Sequence, residues 1–457
     1  MMGEPAKYVS STNACRQCTP LGACLAFKGV RGAVPYLHGS QGCATYMRRY
    51  IISHFREPID IASSALGEKQ AVFGGGPNLK EGLVNVIGKY SPEVIGIATT
   101  CLTETIGDDV ASILIEFDRE WGAAKKGEHP QLVRVSTPSY QGSHVEGFHA
   151  TVRALADQLA LSSEGVNEKS VNLFPGIVST ADLRALREIV EGFGLTATIL
   201  PDYSDTLDGP ALDRYMPISP GGTGIEEIKL MGGAVASVEF ASLLPRKLSA
   251  GELLKERFWQ RLDTLGLPLG LRATDAFFSA LSSISGESIP ERYKSQRGRL
   301  LDAFVDGHKY LSGKRAVIYG DEELALGLTS FIAEVGIQPV VVATGSSNSD
   351  FEDAVKGVTE GLVLEEVKVV DGVDFSEIEA LAAEAKPDLL IGNSKGYRIS
   401  RELGVPLIRV GFPIHDRFGG QRTLHLGYEG ALSLFDNLVN AVITKKQEDS
   451  PIGYAYI

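Results

Sequence analysis

Five cysteines, Cys15, Cys18, Cys24, Cys43 and Cys101, fall in the first quarter of a 457-residue chain, and the 356 residues after Cys101 hold none. A sparse, odd-numbered set in a reducing compartment suits metal ligation or buried thiols, not a disulfide framework. Cys43 lies in a Gly-Ser-Gln-Gly turn, where glycines let backbone amides come close to a bulky inorganic group and donate N–H···S bonds. Cys101 ends the apolar strand "PEVIGIATTC". Cys15 and Cys18 form a C-x-x-C, but no second cysteine or histidine pair at zinc spacing answers it. No strand precedes it, as a thioredoxin-type motif requires. One of the pair reads as a ligand and the other as a bystander. Cys24, inside the apolar helix "GACLAFKG", reads as a small buried hydrophobe. Three thiolates from separate loops remain, Cys18, Cys43 and Cys101. They fit an iron–sulfur cluster better than zinc, and they are one short of the usual four ligands. The missing ligands then come from another chain, with the cluster at an interface.

Other residues near these cysteines carry weaker signals. "TPSYQGSH" (137–144) supplies Ser139, Ser143 and His144. A serine oxygen can ligate iron, although loop serines mostly cap turns. Arg48, Arg49, His54 and Arg56 form a basic band after Cys43, suited to balancing an anionic cluster or meeting an acidic partner; a solvated helix face is the plain alternative. "FGGGPN" (73–78) looks like a phosphate-cradling loop but lacks both the G-K-[ST] ending and the G-x-G-x-x-G pattern. Neither a Ser-His-Asp order nor an H-E-x-x-H motif supports hydrolase chemistry.

The elements that must position these residues alternate strand and helix. "PLGACLAFKGV" reads as a helix, "AVPYLHG" as a strand, "LKEGLVNVIGKY" as an amphipathic helix, "PEVIGIATTC" as a strand and "TETIGDDVASILIEFDREW" as the next helix, starting near Thr103 or Thr105. That alternation predicts a parallel sheet with crossover helices. Ligands of such sheets sit at the carboxyl ends of strands, which puts Cys43 and Cys101 at one edge. The polar stretch 161–170 reads as a linker, and two further α/β units follow. The fold class is α/β, three Rossmann-like domains with parallel sheets flanked by helices. The expected domains are 1–165 (cluster-binding), 166–295, and 296–457 with a C-terminal helix.

The totals bound the function. Apolar residues make up 44% and charged residues 22%, as in ordinary globular chains. A formal charge of −13 and a pI of about 5.2 argue against a nucleic-acid partner. No run of 18 apolar residues suggests a membrane span, and the first residues lack the apolar core of a signal peptide, so the expected location is the cytoplasm.

The motifs "CTPLGA", "HGSQGC", "HFREP", "VFGGG-N-K-GL", "TTC-TE-IGDD" and "TPSYQGSHV-G", followed by "LPDYSDTLDG" and "RVGFPIHDRFGG", resemble in order and spacing the β-type subunits of nitrogenase component 1 and its relatives. The resemblance implies three α/β domains per subunit and an α2β2 assembly. It also implies a P-cluster, an eight-iron centre, shared between α-type and β-type chains. By that resemblance Cys18, Cys43 and Cys101 match the β-side ligands. Ser139 matches a serine that ligates the oxidised cluster in some members, and Cys15 and Cys24 match none. The active-site metallocofactor is then expected in the α-type chain, and an ATP-dependent iron protein as the electron donor. Only 17 residues precede Cys18, whereas catalytic nitrogenase β chains usually carry a longer extension. This short leader with a complete set of thiols is similar to the nitrogenase-like reductases of the methylthio-alkane reductase type. The alternative is the β-type subunit of the scaffold that matures the iron–molybdenum cofactor. Dark-operative protochlorophyllide reductase, with a different ligand set, fits less well.

Overall fold

The computed structural model describes residues 15–124, 129–163 and 165–452; most of the leader lies outside them. Three parallel sheets carry the chain. The first has the order β2-β1-β3-β4, from β1 (Ala33–His38), β2 (Ala62–Ser63), β3 (Val94–Thr99) and β4 (Gln131–Val135). The second has the order β6-β5-β7-β8, from β5 (Asn167–Phe174), β6 (Thr196–Ile199), β7 (Ala234–Phe240) and β8 (Arg261–Leu265). The third has five strands in the order β11-β10-β9-β12-β13, from β9 (Arg315–Gly320), β10 (Gln338–Thr344), β11 (Lys368–Val370), β12 (Leu389–Gly392) and β13 (Leu407–Arg409). Strand β5 begins inside the stretch that reads as a linker. Among the described residues no helix is long and apolar enough to cross a membrane.

In the first sheet β1 and β3 pair from Ala33↔Val94 to His38↔Thr99, so their carboxyl ends finish level. Both strands are buried along their whole length, as parallel strands covered on two faces must be. Alternate side chains separate the faces. Val34, Tyr36, Ile95 and Ile97 pack under α4 (Gly76–Tyr90) and α6 (Val110–Ala123), while Ala33 and Leu37 join the large central core.

Helix α1 (Thr19–Lys28) lies in that core with all ten residues buried. It packs on β3, where a Cβ on Gly96 would sit 2.3 Å from the Phe27 ring. It packs more tightly on α7 (His144–Leu159). A Cβ on Gly22 would fall 1.7 Å from the His144 carbonyl oxygen, and one on Gly147 would fall 1.9 Å from the Thr19 carbonyl oxygen. The two backbones therefore touch, and only glycine allows it at either position.

Two readings of local structure change. Helix α2 (Gln41–Phe55) begins within "GSQGC", so Cys43 occupies the first turn of a helix. The segment after β3 divides into α5 (Cys101–Ile106) and α6, because Gly107 takes φ +76° and Asp109 caps the second helix, accepting from the Ser112 N–H at 3.1 Å. Strand β3 stops at Thr99, and Cys101 opens α5. In both places the sequence is apolar or glycine-rich up to the cysteine, which hides the helix start.

Candidate metal–sulfur centre

Each of the three singled-out thiols stands at a helix N-terminus. Cys18 is the N-cap of α1, Cys43 is the third residue of α2, and Cys101 is the first residue of α5. The N-terminal end of a helix carries partial positive charge and unpaired N–H groups, and it favours thiolate over thiol. The Cys18 side chain makes no capping bond to α1.

The loop between β4 and α7 binds these termini together. The Thr19 N–H, one of the orphan donors of α1, donates to Ser139 Oγ at 3.2 Å. The Ser139 N–H donates to Cys101 Sγ at 3.2 Å. The His144 N–H donates to the Gln17 carbonyl at 2.9 Å, and the Thr19 hydroxyl to the Pro138 carbonyl at 3.4 Å. Thr137 holds β3 from the other side, donating from N to Thr99 Oγ1 at 2.9 Å and from its hydroxyl to the Thr99 carbonyl at 2.6 Å. The hydroxyl of Ser40 donates to Cys43 Sγ at 3.4 Å. Ser139 thus sits between Cys18 and Cys101, accepting from the backbone N–H that follows Cys18 and donating its own N–H to the Cys101 sulfur.

The electrostatics show the same convergence. Burial pushes the Cys18 thiol above its ordinary value, the Ser139 hydroxyl pulls it down, and the sulfurs of Cys101 and Cys43 push it up again. All three cysteines are free; Cys18 and Cys43 are half-buried and Cys101 is exposed. Among the described residues no trio of His, Cys, Asp or Glu is close enough to hold a single metal ion. Next to Cys43, a Cβ on the exposed Gly42 would meet only Ser40 Oγ, at 3.9 Å. Gly39 has a different task, since a Cβ there would strike Thr100 Oγ1 at 2.2 Å, so it allows the ends of β1 and β3 to close up.

The C-x-x-C does not act as a unit. Cys15 is buried in the core of the third sheet beside Tyr319 and Val341, and burial, with Asp321 next, pushes its thiol up to about 12. Cys24 is fully buried in α1, and burial raises its thiol too.

The basic band needs correction. Arg48 and Arg49 are exposed, and Arg48 approaches Asp60 at 3.5 Å. His54 is buried; Nδ1 accepts from the Ile414 N–H at 2.9 Å, and burial pulls its pKa down to about 3. It is a neutral acceptor that fastens α2 to the "GFPIHDRF" loop, where Phe412 packs on it ring to ring at 5.0 Å. Arg56 donates to the His415 carbonyl at 2.8 Å, on the same seam.

A network that sequence reasoning missed lies behind the thiols. His38, at the end of β1, contacts Ser64 Oγ through Nδ1 at 3.0 Å and Asp108 Oδ2 through Nε2 at 3.0 Å. Both Asp108 carboxylate oxygens accept from the Gly75 N–H, at 3.1 and 3.0 Å. "LHGS", "FGGG" and "IGDD" are thereby tied into one support, and the glycine loop is structural. A Cβ on Gly75 would sit 2.7 Å from Asp108 Oδ2. The signal available in the sequence was a histidine, a glycine triplet and an acidic pair in the same domain, with no local rule to join them.

Comparison with known proteins agrees with this architecture. A family model described as "Nitrogenase component 1 type Oxidoreductase" matches residues 18–443. The nitrogenase molybdenum-iron protein beta chain of Clostridium pasteurianum is 34% identical over 437 residues, covering 96% of this chain and 94% of that one. The corresponding beta chain of Azotobacter vinelandii is 36% identical, covering 96% of this chain and 86% of its own length. A solved structure of nitrogenase Cp1 at pH 6.5 superimposes with a TM-score of 0.94 at 32% identity, over 100% of this chain and 98% of the other. The chain belongs to the nitrogenase component 1 family of oxidoreductases, and its likeness within that family is to the β chains.

Proposed function

We propose that this chain is the electron-relay β-type subunit of a nitrogenase-like reductase of the methylthio-alkane reductase type. In this reading Cys18, Cys43 and Cys101 hold the β half of an eight-iron, seven-sulfide P-cluster at the seam with an α-type chain, and Ser139 serves as an additional oxygen ligand. The observation that carries it is the gathering of those four residues from four separate elements at one sheet edge. Such a cluster, when bound, supplies a one-electron way-station between an ATP-dependent iron protein and the metallocofactor of the α-type chain in an α2β2 complex.

The roles of this chain's own groups follow from their positions. Cys18, Cys43 and Cys101 offer thiolates favoured by three helix N-termini. The Ser139 N–H and the Ser40 hydroxyl donate to sulfur, and such donors raise a cluster's potential by stabilising the more negative state. The buried face of α1 keeps water from the Cys18 side. Arg48 and Arg49 give the exposed face of α2 positive charge. The three units and their sheets form one cytoplasmic subunit in which the first carries the centre.

The presence of three converging thiols favours the relay over the cofactor-assembly scaffold. Iron analysis of the purified αβ complex tests this directly. About eight irons per αβ interface supports the relay, and about four supports the scaffold. Cys43→Ala should remove the interface iron and its redox signal while the complex stays folded. Full iron and an unchanged signal in that variant would refute the ligand assignment. Release of a thiol from a methylthio-alkane, rather than ammonia from dinitrogen, checks the substrate.

A further inference from the structure

We propose that the chain carries a second binding site, for a small carboxylate metabolite, in the cavity at the opposite end of α1, with the Lys28 ammonium as its anchor. The cavity has a volume of about 520 Å³ and lies between the start of β1, the end of α2 and the irregular segment 205–220. Its walls include Lys28, Arg48, Asp60, Tyr90 and Arg214. That volume falls within the range of small-molecule pockets.

Lys28 is the sole charged side chain of a helix that is otherwise buried and mainly apolar. The residue is only 6% exposed, yet its ammonium has no ion pair within 4.0 Å and no hydrogen bond among the described residues. Burial lowers its pKa, and Asp60, another wall residue, opposes this from a distance. Asp60 is already engaged, accepting from the Tyr90 hydroxyl at 2.8 Å and facing Arg48 at 3.5 Å. A buried cation without a partner is costly, and natural chains keep one where an anion or a reaction requires it. Arg214 adds another wall cation, one that forms no ion pair among the described residues.

The choice of anion follows from the rest of the wall. Glu57, Asp60 and Asp205 also face the cavity. Their like charge penalises a dianionic phosphate more than a singly charged carboxylate. A carboxylate seated on Lys28 pairs the buried charge, and the remainder of the ligand lies toward Tyr215 and the prolines of the segment 205–220.

The site is distinct from the sulfur constellation. Lys28 ends α1 and Cys18 caps its start, so a ten-residue rise of about 15 Å separates them. Ligand binding here is therefore readable without iron. The test is calorimetric titration of the purified full-length complex with propionate, glutamate and inorganic phosphate, in wild type and in Lys28→Met. Met keeps the stem volume and removes the charge. Saturable binding of propionate or glutamate, tighter than phosphate and weakened at least about tenfold in Lys28→Met, is expected. Arg214→Gln, on the surface segment, should weaken the same carboxylate by a smaller factor and serves if Lys28→Met does not fold. Absence of carboxylate binding to wild type, tighter binding of phosphate, or binding unchanged in the variants would overturn the proposal.

Discussion

The touching of α1 and α7 makes the strongest mechanical prediction. Gly22→Ala places a methyl carbon 1.7 Å from the His144 carbonyl oxygen, where 3.0 Å is the closest that real Cβ atoms approach. Backbone lies on both sides, so no side chain can swing away, and the helices must part by at least 1.3 Å. Both helices lead directly into the site. Cys18 caps α1, and α7 begins with the Ser143–His144 corner that holds Gln17 and follows Ser139. Overpacking of this kind costs about 1–3 kcal/mol, and a displacement of about 1 Å in a binding constellation is enough to degrade it. Gly22→Ala should therefore lower the denaturant midpoint of the complex and lower its iron content together. Gly88→Ala is the control: it lies in α4 with nothing within 4 Å of a new Cβ, and an added helix-interior alanine should stabilise by about 0.5–1 kcal/mol. Gly22→Ala with wild-type midpoint and wild-type iron would refute the idea that this contact sets the position of Cys18.

Other outcomes follow from single groups. Cys15→Ser should leave interface iron unchanged and cost stability by placing a hydroxyl in the third core, whereas Cys18→Ser should lose iron with little change in midpoint; equal iron in both variants would break the division of the C-x-x-C. Asp108→Ala strips His38 and the Gly75 N–H of their partner and should cost about 1–3 kcal/mol, read as a fall in denaturant midpoint. His54 titrates near 6.5 when unfolded and about 3 when folded, so the unfolded chain binds more protons and stability falls as pH drops below 6.5 toward 3. Between pH 7 and pH 5 this group alone contributes a loss of roughly 2 kcal/mol. His54→Asn, which can still accept from the Ile414 N–H, should flatten that part of the stability–pH curve; an unchanged slope would show that His54 is not the sensor.

Much of the fold was legible because its signals are local. Continuous apolar runs mark β1, β3 and β9, and amphipathic spacing marks α4 and α7. The cysteines were legible by type and by their crowding in the chain. Their backbone setting was not. A helix that starts immediately after a strand leaves no polar gap, so Cys43 and Cys101 read as turn and strand residues although both open helices. His54 was misread for a related reason. Three arginines flank it in sequence, but its own side chain faces inward, where Phe412 and Ile414, some 360 residues away, decide its charge. The His38–Asp108–Gly75 support was invisible on the same ground, since it joins segments 33 and 70 residues apart.

The constellation also explains why it needs so rigid a frame. Thiols brought within reach of one another raise each other's proton affinity, and Cys18 shows this on top of its burial. Three helix N-termini and a few N–H and O–H donors offset part of that repulsion. On the proposed ligand assignment the remainder is relieved by protonation or by bound metal, so loading the centre would displace a proton from Cys18. On that assignment the frame would hold the sulfurs together before any metal arrives. It does so with contacts that owe nothing to sulfur: the glycine-mediated touching of α1 and α7, the closure of β1 on β3 at Gly39, and the Asp108 carboxylate that binds His38 to Gly75. Proton release on metal loading, measured at weak buffering near neutral pH, should accordingly fall in Cys18→Ser while the folded metal-free state keeps its stability; undiminished release in that variant would place the displaced proton elsewhere.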